Sequence, residues 1–285
     1  MAAEILDGRA IAKTIEAELK AEIASLQSEA DLSPALAVVQ VGDDPASAWY
    51  VGQIRKSCKR VGVAFQLVSL AKDATADDLT VTLKGLNQDA DVHGVIVQMP
   101  LPRHLSQEIV TDVLDPRKDV DGIHPVNAGR LFQGSGDYFV PATPAGGMEL
   151  MRRYGIELKG KRAVMVGRSN IVGRPMAMLM LHQHASVVIC HSRTPDLGEE
   201  TRRADILVAA VGQPAIISGD MIRPGAVVID FGANVVENAL VGDVDSEAAM
   251  DVAAYVTPVP GGTGPMTNAM LMGNVVSAAK RQRGL

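Results

Sequence analysis

The sequence predicts an α/β fold in two domains, and three observations carry that reading. Short aliphatic runs of strand length alternate with segments of helical periodicity along most of the chain. Apolar residues make up 47% but aromatics only 3%, so the cores are aliphatic, which suits layered helices and sheets better than a β-sandwich. Arg162–Leu181, RAVMVGRSNIVGRPMAMLML, reads as strand, glycine turn and helix in one stretch. A chain of 285 residues is long enough for two domains of ordinary size.

The elements follow in order. Ile11, Ile15, Leu19, Ile23 and Leu26 recur at steps of three and four and predict an amphipathic helix over Gly8–Ala30. Leu36–Val41 reads as a buried strand. Asp44 and Pro45 read as N-cap and first residue of a helix over Pro45–Val61, stopped by Gly62. Val63–Leu70 is a strand, Ala76–Gln88 a helix and Val92–Gln98 a strand, an order that gives a parallel sheet with helices on its faces. After the proline turns of MPLPRH come a short helix near Ser106–Leu114 and a long irregular stretch, Asp115–Pro141. Loops of that length inside a compact domain are usually functional.

A connecting helix over Pro144–Tyr154 leads into a second series. Its strands are Ala163–Val166, Ser186–Cys190, Ile206–Ala210 and Val227–Phe231, with helices or turns between. Asp243–Ala253 reads as loop and short helix, Tyr255–Thr257 as a further strand, and PVPGGTGPMT opens a last helix, Met266–Lys280. With a hinge in 141–155, the domains are expected at 1–140 and 141–265, and the last helix, 266–285, is expected to pack back on the first domain.

Net charge is −6 with acids and bases interspersed, and no basic stripe argues for nucleic acid. Cys58 and Cys190 make no metal motif and fit a reducing, cytoplasmic setting. An N-terminus with Glu4, Asp7 and Arg9 is not expected to be a signal peptide, and no apolar run approaches a membrane span. The histidines read as ordinary hydrogen-bonded residues rather than metal ligands.

Chemistry concentrates after strand ends, where open parallel sheets bind ligands. Gly167, Ser169 and Gly173 form G-x-S-x-x-x-G between strand and helix. A turn without a Cβ lets backbone approach a ligand, and a helix N-terminus offers N–H groups to a phosphate. The pattern departs from G-x-G-x-x-G, with Ser169 in the second glycine's place. Three more polar-glycine clusters follow strands: Gln98 beside MPLP, KDVDGIHPVNAGR with Asp119, Asp121 and His124, and TPVPGGTGPMT. Each taken alone is ordinary turn chemistry.

Together these stretches resemble one family, the methylenetetrahydrofolate dehydrogenase/methenyltetrahydrofolate cyclohydrolases. The matching segments are GDDPAS-x-x-YV (42–51), GVIVQMPLP (94–102), KDVDG-x-HP-x-N-x-G-x-L (118–131), P-x-TP-x-G (141–146), VGRSNIVGRP (166–175), DILVAAVGQP (205–214), VVIDFG-x-N (227–234) and TPVPGGTGPMT (257–267). The resemblance implies an N-terminal catalytic α/β domain and a C-terminal Rossmann-like NADP-binding domain with the cleft between them, in a homodimer. It implies oxidation of 5,10-methylenetetrahydrofolate with a nicotinamide cofactor, followed in most members by hydrolysis to 10-formyltetrahydrofolate. It places Tyr50, Gln98 and Asp121 at the folate, Asp121 through the pterin, with Pro260, Gly261 and Gly262 lining the site. Gly167, Arg168 and Ser169 then hold cofactor phosphates, Ser192 lies near the adenosine ribose, and Ala233 offers a backbone contact to nicotinamide. No metal is implied.

Two details modify that expectation. The family carries Y-x-x-x-K, and its lysine serves the cyclohydrolase together with the glutamine matching Gln98; here that position is Ile54. At about 100° per residue, Arg55 points about 100° and Lys56 about 160° away from it. Val51, Ile54, Cys58 and Val61 also form an apolar stripe that periodicity alone reads as core. On the resemblance, Ile54 faces the folate with a group unable to move a proton, so cyclohydrolase activity is expected to be weak or absent. The alternatives are a fully bifunctional enzyme and a non-catalytic folate- or nucleotide-binding paralogue. The second detail is the segment after Ser186–Cys190, His191-Ser192-Arg193-Thr194, which has no acid to grip a ribose diol; with Arg168 it favours NADP over NAD.

Overall fold

Local signals set most element boundaries in the computed structural model, which describes residues 2–285. In chain order the elements begin with β1 (Glu4–Ile5), α1 (Gly8–Ala30), β2 (Ala35–Val41), α2 (Pro45–Val61), β3 (Ala64–Leu70), α3 (Ala76–Gln88) and β4 (Gly94–Val97). They continue with α4 (Glu108–Val113), α5 (Pro125–Gln133), α6 (Ala142–Arg153), β5 (Arg162–Val166), α7 (Gly173–His182), β6 (Ser186–Cys190) and α8 (Leu197–Thr201). Last come β7 (Ile206–Ala209), β8 (Val227–Asp230), β9 (Asn234–Val236), β10 (Ala239–Val241), α9 (Ser246–Val252), β11 (Tyr255–Val256) and α10 (Thr263–Arg283).

The chain divides into two compact units. The first comprises Thr14–Val140 and Asn268–Leu285. Its sheet has the order β3-β2-β4, all parallel, with Val39 level with Val68 and Val97. One face buries Val39, Leu79, Leu83 and Val95 together; each such aliphatic side chain contributes about 1.5–3 kcal/mol when withdrawn from water. The second unit comprises Pro141–Thr267 together with the described residues up to Lys13. Its six-stranded sheet has the order β1-β11-β8-β7-β5-β6, again parallel, over a core that includes Val164, Leu207, Val228 and Val256. Both α1 and α10 begin in the second unit and continue in the first. No helix among the described residues is long and apolar enough to cross a membrane.

Four differences from the sequence reading have physical reasons. The first residues belong to the second unit rather than to a domain running over 1–140, because Glu4 and Ile5 pair with Tyr255 and Val256. The stretch Asp115–Pro141 is not irregular throughout. His124 caps α5 by accepting from Val126 N–H, Pro125 opens it and Gly134 closes it at φ 64°, so residues read as turn formers are helix punctuation. A hairpin, β9–β10, occupies 234–241, turning at Glu237 and Asn238, both at positive φ as a two-residue turn requires. It leaves Val235, Val236 and Leu240 exposed. Finally, α10 starts at Thr263 and runs to Arg283, longer at both ends than periodicity suggests.

Candidate functional site

In the first unit the candidate residues lie on α2 and after β4. Asp44 accepts from Ser47 N–H at 2.8 Å, Pro45 follows, and Gly62 at φ 94° closes α2 onto Cys58 O. Tyr50, partly exposed, lies near Asp121: burial first, and then the Asp121 charge, push its phenol up to about 12. Ile54 does not share that surface. It is fully buried, as are Val51, Cys58 and Val61, and Cys58 Sγ meets Met272 Sδ of α10 at 3.6 Å. The apolar-stripe reading therefore describes Ile54, and the ligand-facing one does not. Neither neighbouring base takes its place: the Arg55 guanidinium lies over the Phe65 ring at 5.0 Å, and Lys56 is exposed.

Gln98 follows β4, its N–H donating to Val39 O at 2.8 Å and its amide nitrogen to Met99 O at 3.1 Å. Asp121 lies on a loop held at several points. Asp119 pairs beside Val95 of β4, and its buried carboxylate accepts from His124 N–H at 2.8 Å, Ile123 N–H at 3.3 Å and Asn127 Nδ2 at 2.8 Å. Asn274 of α10 donates to Val120 O and Val140 O. Gly94 lies under this loop, where an added Cβ would come within 2.7 Å of Val120. Asp121 itself stays partly exposed, and burial together with the Asp119 charge raises its carboxyl to about 6.

In the second unit the turn after β5 is built for close approach. Gly167 has φ 123°, and a Cβ there would come within 2.3 Å of Ala210 O; one on Gly173 would come within 2.4 Å of Gly167 O. The Ser169 hydroxyl accepts from Val172 N–H and Gly173 N–H at 3.2 Å, and Ser169 O accepts from Arg174 N–H. The first helical turn is thus satisfied by the protein itself, unlike the free helix end that the sequence motif suggests. The amides of Arg168 to Ile171 make no backbone bond among the described residues, and Arg168, Ser169 and Asn170 are exposed. A nicotinamide dinucleotide fits this surface: a glycine cradle that a Cβ would fill, amides without a backbone partner among the described residues and the Arg168 guanidinium suit a diphosphate. After β6, His191 and Thr194 close a tight turn with Ser192 and Arg193 exposed at its tip.

Ala233, Pro260, Gly261 and Gly262 line one pocket of about 190 Å³, together with Phe231 and Arg9. Arg9 and Gly8 are the residues that sequence reasoning missed. Arg9 N–H donates to Gly261 O at 3.1 Å, and a Cβ on Gly8 would come within 1.7 Å of Gly262 O. Only a contact spanning most of the chain joins them to the loop, and no local pattern signals it. Two buried carboxylates brace this region. Asp230 accepts from the N–H groups of Gly232, Asp243 and Val244. Asp243 accepts from those of Val211, Gly212 and Gln213, and from Asn234 Nδ2.

Known proteins match this arrangement over the full chain. Residues 6–121 match the catalytic domain, and residues 141–283 the NAD(P)-binding domain, of the tetrahydrofolate dehydrogenase/cyclohydrolases. The chain is 51% identical to the bifunctional protein FolD of Chloroflexus aurantiacus over 286 residues, covering 100% of both. It is also 51% identical to that of Acetivibrio thermocellus, covering 99% of both. Among solved structures, the bifunctional FolD enzyme of Campylobacter jejuni superposes with a TM-score of 0.96 at 43% identity, covering 98% of this chain and 99% of that one. The Trypanosoma brucei methylenetetrahydrofolate dehydrogenase-cyclohydrolase, solved with NADP and an inhibitor, gives 0.94 at 38% identity and covers 100% of both chains. The chain described here belongs to the tetrahydrofolate dehydrogenase/cyclohydrolase family.

Proposed function

We propose that this chain oxidises 5,10-methylenetetrahydrofolate to the methenyl form with NADP and hydrolyses that product to 10-formyltetrahydrofolate. The observation that carries the reading is the likeness, end to end and at 51% identity, to relatives named as bifunctional. When bound, NADP accepts the hydride leaving the substrate's methylene carbon, so the protein's part is placement. Gly167, Arg168 and Ser169 take the phosphates, Ser192 and Arg193 the adenosine ribose and its 2′-phosphate, and Ala233 a backbone contact to nicotinamide. Pro260, Gly261 and Gly262 line the folate side. Tyr50 stacks on the folate, Gln98 donates or accepts through its amide, and Asp121 binds the pterin. Hydrolysis needs a held water and a proton acceptor, for which Gln98 and a mostly ionised Asp121 are the polar groups on hand.

A second reading, dehydrogenase with weak or absent hydrolysis, is favoured by the burial of Ile54 at the position where the family resemblance places a lysine. Absorbance during turnover separates the two. Reduced cofactor appearing together with loss of the methenyl chromophore supports the bifunctional reading. Reduced cofactor with a persistent chromophore supports the second, and neither signal points to a non-catalytic binding protein. Ile54→Lys sharpens the result: on the second reading it raises methenyl hydrolysis above the spontaneous rate, and on the first it only destabilises α2, by about 2–4 kcal/mol for an unpaired ammonium placed in the core. A homodimer in the cytoplasm completes the proposal, with the exposed valines of β9–β10 available for self-association. Sedimentation of the purified protein tests that part.

A further inference from the structure

The first unit carries a cavity of about 420 Å³ within the size range of small-ligand sites, and none of the residues discussed so far as substrate or cofactor contacts lines it. It opens at the opposite end of β4 from Gln98. Its lining includes Asp89 and Ala90, which precede β4, and Pro116 and Arg117, which lie level with the start of β4 because Asp119 pairs beside Val95. Gln98 stands at the other end of that strand, roughly 16 Å away at about 3.3 Å per residue.

The lining is cationic. Arg117, Lys118, Arg130 and Arg281 face Asp89, Asp115 and Asp137. Two of the cations are committed. Arg117 grips Asp115 through Nε and Nη2, which holds the Asp115 carboxyl below its usual range. Lys118 Nζ donates to Leu86 O at 2.8 Å and Asp89 O at 2.5 Å, neutralising the carbonyl end of α3. Among the described residues the other two have no carboxylate partner. Arg130 donates to the backbone oxygen of Asp137 at 2.7 Å, and Arg281 to that of Tyr138 at 3.2 Å. These adjacent carbonyls draw both guanidiniums to the same short segment, and each retains further N–H donors. Arg281 also lies over the ring of the buried Phe139 at 4.7 Å, which helps hold its guanidinium at the cavity.

We propose that this cavity binds a small organic phosphate, its phosphoryl group between Arg130 and Arg281 and its organic part along Pro116. Paired guanidiniums match a phosphate's oxygens in a way that single ammonium groups do not. Asp137, exposed at the rim, opposes the ligand and limits its affinity. The proposal is independent of the catalytic reading, since it uses no residue assigned to folate or NADP.

The test is calorimetric titration of the full chain, saturated with NADP, with adenosine 5′-monophosphate and separately with inorganic phosphate. Adenosine monophosphate is expected to bind at one site, more tightly than inorganic phosphate. The double variant Arg130→Gln, Arg281→Gln weakens it by about tenfold or more, the loss of charged hydrogen bonds, while dehydrogenase rate and melting temperature hold. Asp137→Asn acts in the opposite direction and tightens binding, a change that no unfolding can mimic. Absence of binding by the NADP-saturated parent, affinity indifferent to both variants, or equal affinity for inorganic phosphate would each overturn the proposal.

Discussion

Each unit contains a pair of neighbouring aspartates without a salt-bridge partner among the described residues, and the two pairs are used differently. In the second unit, Asp230 and Asp243 are both buried, and between them they accept six backbone N–H groups and one side-chain amide from three loops. In the first unit, Asp119 is buried and accepts three donors, but Asp121, two residues on, accepts no hydrogen bond from the loop that carries it. Burial raises Asp121 and Asp230 alike to about 6. The shift alone therefore does not mark function. What distinguishes the two is whether the oxygens are already engaged: Asp230 is braced in place, and Asp121, raised by burial and then by Asp119, has its acceptors open to a ligand.

The largest expected effect tests the structural member of the comparison. Asp243→Ala leaves four donors around a buried site without an acceptor, and loss of about 3–5 kcal/mol of stability is expected. Denaturant unfolding measures it. A variant as stable as the parent would mean that water replaces the carboxylate and that the bracing role is wrong.

Asp121→Asn tests the functional member. It removes a charge but keeps the shape, and no backbone group depends on it. A fall of about a hundredfold in kcat/KM for the folate substrate is expected, within the range for a positioned catalytic or binding group. Melting temperature stays near the parent value. A large drop in melting temperature with near-normal turnover would place Asp121 with Asp230 as a turn-ordering residue.

The same contrast bears on cofactor choice. The second unit's buried carboxylates face inward to backbone, and the turn after β6 carries Ser192 and Arg193 but no acid. Arg193→Ala is expected to lower kcat/KM for NADP by about tenfold, the worth of one charge-assisted phosphate contact, and to leave NAD nearly unchanged. Equal losses with the two cofactors would make Arg193 a general charge rather than a reader of the 2′-phosphate.

How much of this was legible in the sequence follows from distance along the chain. Asp44, Pro45 and Gly62 bound α2 because caps act within a few residues. Pro125 and Gly134 do the same for α5, yet a run of glycines, prolines and aspartates reads equally well as loop until packing decides. β1 is two residues whose strand character exists only through Tyr255 and Val256. Tyr50, Gln98 and Asp121 could be named from motifs, but the burial of Ile54 was a choice between two readings that only the packed helix resolves. Gly8 and Arg9 against Gly261 and Gly262, and Asp243 against the 211–213 loop, are long-range contacts with no local signature.

The smallest expected effect is a pH dependence that separates Asp121 from its braced counterpart. A carboxyl whose folded pKa is raised above its unfolded value of about 3.9 binds its proton more readily in the native state. Its stabilising contribution is therefore present below about pH 4 and is lost as pH rises through about 6, where the folded protein must carry the charge. Asparagine at 121 cannot titrate, so Asp121→Asn should gain stability relative to the parent as pH is raised from about 5 to about 7.5. Because Asp121 is partly solvated, the differential is expected at only about 1 kcal/mol. Removing this charge also relieves Asp119, which acts in the same direction. At Asp230 the corresponding asparagine loses stability at every pH, because three N–H groups lose acceptor strength whatever the protonation state. Urea unfolding of both variants at the two pH values decides it. A pH-independent difference for Asp121→Asn, or a gain of opposite sign, would show that the Asp121 carboxyl is not raised by its surroundings.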